Sequence, residues 1–212
     1  MNARNPQALR QRLRLYWVMD GRDLDSEAGR ARVIDALQSG VSCVQLRDKH
    51  SDTRVLIERT RTLLRLAAPW RVLVIVNDRV DVALAAGAHG VHLGQSDTPL
   101  AQARGWLGSH AVIGLSIEHP NQLQGPDAMG ADYLAVSPVF DTPTKTNTAP
   151  AWGLAGLRQA RQATPTPLVA IGGIDADTIA RMARELAAVE NIDKGKAMEK
   201  LAKSLAKKKI AA

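Results

Sequence analysis

Aromatic residues make up only 3% of the 212-residue chain. Its core must therefore be built from Val, Leu, Ile and Ala. Interleaved aromatics able to stack nucleic-acid bases are absent, and no nucleic-acid partner is expected. The chain has one cysteine, Cys43, so no internal disulfide can form. Its place within a β-branched run reads as a buried structural thiol and not a nucleophile. No apolar run reaches the roughly 18 residues a membrane span needs. The opening stretch, MNARNPQALRQRLRLYW, is basic but lacks the apolar segment of a signal peptide. No Ser-His-Asp or Cys-His arrangement stands out, and there is no nucleophile elbow. These absences lead us to expect a cytoplasmic protein of bacterial type.

The positive charge is unevenly spread. Of a net +7, more than half comes from residues 190–212, where seven lysines face three acids. The body of the chain is only mildly basic. Its hydrophobic content of 45% is enough for a sizeable core.

Short β-branched runs alternate with helical patterns. Strands are expected over 13–18, 41–49, 72–76, 90–93, 112–115, 133–136 and 168–171. Helices are expected over 27–38 (closed by Gly40), 52–67 (capped by Ser51 or Asp52), 78–86 (stopped by Gly87), 99–107, from about 120, 154–163 and 176–188. The unbroken apolar run at 72–76 is typical of a parallel strand buried on both faces. Repeated β-α units imply an α/β fold with a parallel sheet. Polar clusters follow nearly every strand and not a single switch point, which favours a (β/α)8 TIM barrel over a doubly wound sheet.

The most informative stretch is VQLRDK at 44–49. On a strand, Gln45, Arg47 and Lys49 point the same way. An amide and two cations at a strand exit suit a polyphosphate beside a flat, hydrogen-bonding ring. Asp78 and Asp97 follow adjacent strands and can share Mg2+, which takes one or two carboxylates plus phosphate oxygens and water. Each could equally cap the helix that follows it. The loop 141–150, DTPTKTNTAP, has hydroxyls and Lys145 suited to a phosphate lid. Gly172-Gly173 offers bare backbone N–H groups at a late unit, or simply a tight turn. His89 and His92 lie in apolar surroundings without ligand spacing and read as structural.

Taken together, VQLRDK (44–49), VNDRVDVALAAGAHGVHLGQSD (76–97), GLS (114–116), GADYLAVSPVFDTPTK (130–145), WGL (152–154) and LVAIGGI (168–174) resemble the thiamine monophosphate synthase/TenI-like family of TIM barrels. The resemblance covers roughly residues 13–183. It implies a transferase of thiamine biosynthesis. Such an enzyme joins hydroxymethylpyrimidine pyrophosphate to hydroxyethylthiazole phosphate, with release of pyrophosphate, through a dissociative, Mg2+-assisted step. It implies that Gln45 holds the aminopyrimidine, and that Arg47, Lys49, Asn77, Ser116 and Lys145 hold the pyrophosphate. Arg47, Ser116 and Lys145 would be the groups most engaged in the reaction. Asp78 and Asp97 would bind the metal, and Thr142, Thr144 and Gly173 would face the thiazole phosphate.

The end of the chain departs from that pattern. Family members continue with an eighth strand, whereas residues 183–212 are Ala-, Lys-, Glu- and Leu-rich without a β-branched run. The expected division is a barrel over 1–182 and a basic helical or disordered tail over 183–212. A missing eighth strand would leave sheet edges for the tail or a partner chain to cover, which leaves a homo-oligomer open. Two other readings stand beside the synthase. One is the thiazole tautomerase branch of the same group. The other is a non-catalytic thiamine-phosphate-binding barrel.

Overall fold

The computed structural model describes residues 6–141, 149–175, 178, 179 and 182. Helix α1 (Pro6–Arg12) leads into β1 (Tyr16–Asp20). There follow α2 (Glu27–Gln38), β2 (Cys43–Arg47), α3 (Thr53–Ala67), β3 (Leu73–Asn77), α4 (Val80–Ala86), β4 (Gly90–Leu93), α5 (Leu100–Leu107), β5 (Val112–Ile117), α6 (Pro126–Gly130), β6 (Tyr133–Val136), α7 (Gly153–Ala163) and β7 (Leu168–Ala170). The first strand begins later than expected. Leu9 and Leu13, one helical turn apart, are both buried, and the Leu13 N–H bonds the Leu9 carbonyl at 2.9 Å. The chain there is helical, not extended. Asp52 opens α3 through its backbone alone, without the side-chain cap that was expected. Ser26 does cap α2, accepting from the Gly29 N–H at 3.0 Å. Residues 183–212, and most of the helix expected at 176–188, lie outside the described residues.

The strands form one seven-stranded sheet in the order β1-β2-β3-β4-β5-β6-β7. The ladders from β1 to β5 are all parallel. A doubly wound sheet reverses its strand order at a switch point; here every strand lies beside its neighbour in sequence, the order of a (β/α) barrel.

The register decides which side chains share a face. Val18 is level with Gln45, Gln45 with Ile75, and Ile75 with Gly90. Asn77 is level with His92, and His92 with Gly114. Because side chains alternate along a strand, Tyr16, Gln45, Asn77, His92 and Ser116 all lie on one face. Val44, Leu46 and Val74 lie on the other. They pack with Val33 and Leu37 of α2 and Leu63 and Ala67 of α3 in a continuous aliphatic cluster.

The chain divides into two compact units. One holds residues up to Ala135 together with Thr164–Val169, and the other holds Val136–Ala163 with the residues from Ala170 onward. In the second unit Val139 and Phe140 donate to the carbonyls of Ile171 and Gly172 at 2.9 and 3.0 Å. The Trp152 N–H bonds the Pro138 carbonyl at 2.9 Å.

Strand packing leaves no room at Gly90, where an added Cβ would lie 1.8 Å from the Val112 carbonyl oxygen. Gly105 sits in open space on α5. Gly90→Ala is expected to cost at least about 1–3 kcal/mol, and Gly105→Ala to gain up to about 1 kcal/mol. Thermal melts check this: Tm should fall for the first and hold or rise for the second.

Candidate active site

The exits of β2 to β5 carry most of the polar residues singled out from the sequence. Gln45 is 3% exposed, and its amide Nε2 donates to the Tyr16 hydroxyl at 2.8 Å. Tyr16 and Tyr133 are joined hydroxyl to hydroxyl at 2.8 Å. The Tyr133 hydroxyl lies 3.0 Å from His92 Nδ1, and His92 Nε2 lies 2.9 Å from Ser116 Oγ. A single file of hydrogen bonds therefore runs Gln45–Tyr16–Tyr133–His92–Ser116. Gln45 and Ser116 are its two ends.

One direction of donation satisfies every member of the file. The Gln45 amide fills one acceptor site of Tyr16, so the Tyr16 hydrogen goes to Tyr133. The Tyr133 hydrogen goes to His92 Nδ1, and His92 donates from Nε2 to Ser116 Oγ. The Ser116 hydroxyl hydrogen is then free to meet a ligand. Burial pushes the imidazole of His92 down to about 4, against a weaker pull upward from Asp97. The ring is therefore neutral at physiological pH. Glycine at 114 creates the space this file needs, because a Cβ there would lie 2.0 Å from Cζ of Tyr133.

At the neighbouring exits the chain gathers charge. Asp78 has φ 60°, a left-handed conformation uncommon for a non-glycine residue. Its N–H bonds the His92 carbonyl at 2.8 Å. This turn removes Asp78 from the capping position, and the residue preceding α4 is Arg79. Asp97 does not cap α5 either, since Pro99 holds that place. Its Oδ2 instead accepts from the Gly94 N–H at 2.6 Å. The Asp78 and Asp97 side chains share a hydrogen bond, so two acids face each other. Burial, that bond and the charge of Asp97 raise Asp78 to about 6, while Lys49 and Asn77 pull it down. Lys49 Nζ lies 3.8 Å from Asp78 Oδ2. Arg47, at the end of β2, is partly buried and has no side-chain partner among the described residues.

Among the described residues no group of three or more His, Cys, Asp and Glu side chains is placed to hold a metal. The carboxylates that could hold one are Asp78 and Asp97. Two carboxylates held close together, one of them raised to about 6 by burial and by the other, suit a hard divalent cation completed by phosphate oxygens and water, as Mg2+ is.

Gly173 belongs to the second unit, with φ +63° and a Cβ position 2.5 Å from the Asp141 carbonyl. Only glycine fits there. Thr142, Thr144 and Lys145 lie outside the described residues. Sequence reasoning missed Tyr16, Tyr133 and the polar role of His92. One signal was available: the chain has just two tyrosines, and each opens a strand, Tyr133 an otherwise aliphatic one.

Residues 15–192 match the family model for thiamine monophosphate synthase. The chain belongs to the thiamine monophosphate synthase family. Among curated relatives, the thiamine-phosphate synthase of Albidiferax ferrireducens is 51% identical over 164 residues, 77% of this chain and 75% of that protein. The thiamine-phosphate synthase of Vibrio campbellii is 46% identical over 170 residues, covering 80% and 82%. Thiamine phosphate pyrophosphorylase from Pyrococcus furiosus superposes with a TM-score of 0.74 at 34% identity, covering 94% of this chain and 98% of that one. The fold of this thiamine monophosphate synthase family member is therefore the α/β, (β/α)-barrel class expected from its alternating pattern.

The carboxylate pair fixes a pH dependence. Asp78 is raised from 3.8 to about 6 in the folded chain, so the folded state holds its proton more tightly than the unfolded state does. Stability contributed by that proton is present below the unfolded value and is lost as pH rises toward 6. In metal-free buffer, denaturant titrations should show this loss in the wild type and a flatter profile in Asp97→Asn. The hydrogen-bond file makes a separate prediction. 15N NMR of His92 should show a neutral ring protonated at Nε2 throughout physiological pH, and the Nδ1-protonated form would contradict the direction assigned.

Proposed function

We propose that this protein joins hydroxymethylpyrimidine pyrophosphate to hydroxyethylthiazole phosphate, giving thiamine phosphate and pyrophosphate. One arrangement carries the reading for this chain. Arg47, without a side-chain partner among the described residues, and a half-exposed Lys49 stand at the exit of β2, with Lys49 3.8 Å from Asp78 of the carboxylate pair. One cation without a side-chain partner among the described residues and one only loosely paired, beside facing acids, suit a pyrophosphate and its metal better than they suit a structural ion pair. The high identity to thiamine-phosphate synthases over most of the chain points the same way.

In the reaction the methylene carbon–oxygen bond breaks, and its electron pair leaves with pyrophosphate. The thiazole nitrogen then forms the new carbon–nitrogen bond. That nitrogen has no proton to lose, so no general base is required. What needs stabilising is negative charge growing on the departing diphosphate. Arg47, Lys49, Asn77 and the free hydroxyl of Ser116 supply donors at the strand exits. Gln45, held by Tyr16, orients the aminopyrimidine so that its reacting carbon is aligned. Mg2+ held by Asp78 and Asp97 would neutralise charge on the leaving group. Lys145 and the hydroxyls of Thr142 and Thr144 complete the phosphate contacts in this reading, with the backbone at Gly173 facing the thiazole phosphate. No helix among the described residues is long and apolar enough to cross a membrane, and we place the reaction in the cytoplasm with small-molecule substrates.

The test is to mix both substrates with Mg2+ and look for thiamine phosphate. Arg47→Ala and Lys145→Ala are each expected to lower turnover by about a hundredfold, with thermal melts little changed. Near-normal turnover in both variants, or no product from the wild type, would refute the reading.

A further inference from the structure

Asp48 lies within the VQLRDK stretch but takes no part in the site described above. It follows Leu46 on the opposite face from Gln45 and Arg47, and its side chain is only 3% exposed. One of its oxygens, Oδ1, accepts the N–H groups of His50 and Ser51, each at 3.1 Å. The other pairs with Arg59 Nη1, from the middle of α3. The same Nη1 reaches Ser51 Oγ at 2.6 Å. The remaining edge of the guanidinium grips Asp25 in the β1–α2 connection, with Nε at 2.9 Å from Oδ1 and Nη2 paired with Oδ2. Gly21 closes over the pair, since a Cβ there would meet Asp48 Oδ2 at 2.8 Å and Arg59 Cδ at 3.2 Å. The Arg59 side chain is 11% exposed.

We propose that Arg59 is a positioning residue for pyrophosphate binding, clamping the β1–α2 and β2–α3 connections so that Arg47 and Lys49 are held ready for the ligand. The inference rests on the functional reading above, which gives those two cations the pyrophosphate. Lys49 has one distant ionic partner among the described residues and Arg47 has none. Neither side chain is fixed by its own contacts. Their placement depends on the backbone between Arg47 and Ser51, and the described side chains that tie this backbone are those of Asp48, Ser51 and, through them, Arg59. Because a rigid fork is needed to reach three partners at once, lysine cannot replace it.

The experiment measures binding of inorganic pyrophosphate, with Mg2+, by calorimetry, and KM for each substrate. It compares the wild type with Arg59→Lys and Ser51→Ala. Arg59→Lys keeps the charge beside Asp48 and removes the fork. The expected result is about a tenfold weaker pyrophosphate affinity and a matching rise in KM for the pyrimidine pyrophosphate. KM for the thiazole phosphate should not change. A merely structural ion pair would lower Tm without that split. Ser51→Ala removes one hydrogen bond at the clamp and should weaken pyrophosphate by a smaller factor; it carries the test should Arg59→Lys fail to fold. Unaltered pyrophosphate affinity in the folded variants overturns the clamp alone. A wild type that binds no pyrophosphate overturns the functional reading and the clamp with it. A wild type that binds it but forms no thiamine phosphate overturns the reaction only, and the affinity comparison still decides the clamp.

Discussion

The parallel direction of the strands is the constraint on which the rest depends. A parallel strand cannot return through a tight hairpin; the chain must cross back through a helix before the next strand begins. Each strand from β1 to β5 therefore starts at one end of the sheet and leaves at the other. With the strands ordered β1 to β7 as in the sequence, the exits at Arg47, Asn77, Leu93 and Ile117 follow one another along a single edge. Residues far apart in sequence become neighbours there, and no local interaction is needed to bring them together.

Two kinds of polar organisation use that edge. The file from Gln45 to Ser116 runs across the face of the sheet, where an unsatisfied polar group would cost about 1–3 kcal/mol. Each member has a partner, so the file fixes the orientation of its two ends while the intervening tyrosines and histidine remain neutral. The acids Asp78 and Asp97 are organised in the opposite sense. They are brought close, with Lys49 and Asn77 on Asp78 and the Gly94 N–H on Asp97 offsetting their repulsion in part, and a bound cation would relieve it further. A rigid, satisfied interior thus lies beside an unsatisfied, charged rim.

The Arg59 arrangement shows how the helical layer enters the site without touching it. The alternation that sends Gln45 and Arg47 toward the polar face sends Leu46 and Asp48 toward α3. An acid in that position needs a partner, and a buried carboxylate whose partner is removed is strongly destabilising. Arg59 provides one and in doing so ties two connections of the chain together.

Local pattern by itself determined most of the elements and their kind, though not α1, whose residues 6–12 carried no helix expectation. The helix read over 27–38 matches α2 residue for residue. The apolar run at 72–76 is β3 within one residue, and Gly87 ends α4 in the left-handed conformation that glycine favours. Periodicity and turn chemistry act over a few residues, which is why a sequence displays them. The (β/α) barrel class and the gathering of Gln45, Lys49, Asn77, Asp78 and Asp97 at strand exits follow from the same signals. Tertiary structure alone decided which groups touch. Whether Asp78 caps a helix or faces Asp97 depends on a backbone turn stabilised by His92, a residue on the next strand. Tyr133 meets His92 only because position 114, on a third strand, carries no side chain. Arg59 was one arginine among many until packing set it between Asp25 and Asp48. Such pairings depend on strand register and on the volume left by distant residues, and neither quantity is written in any short stretch of the chain.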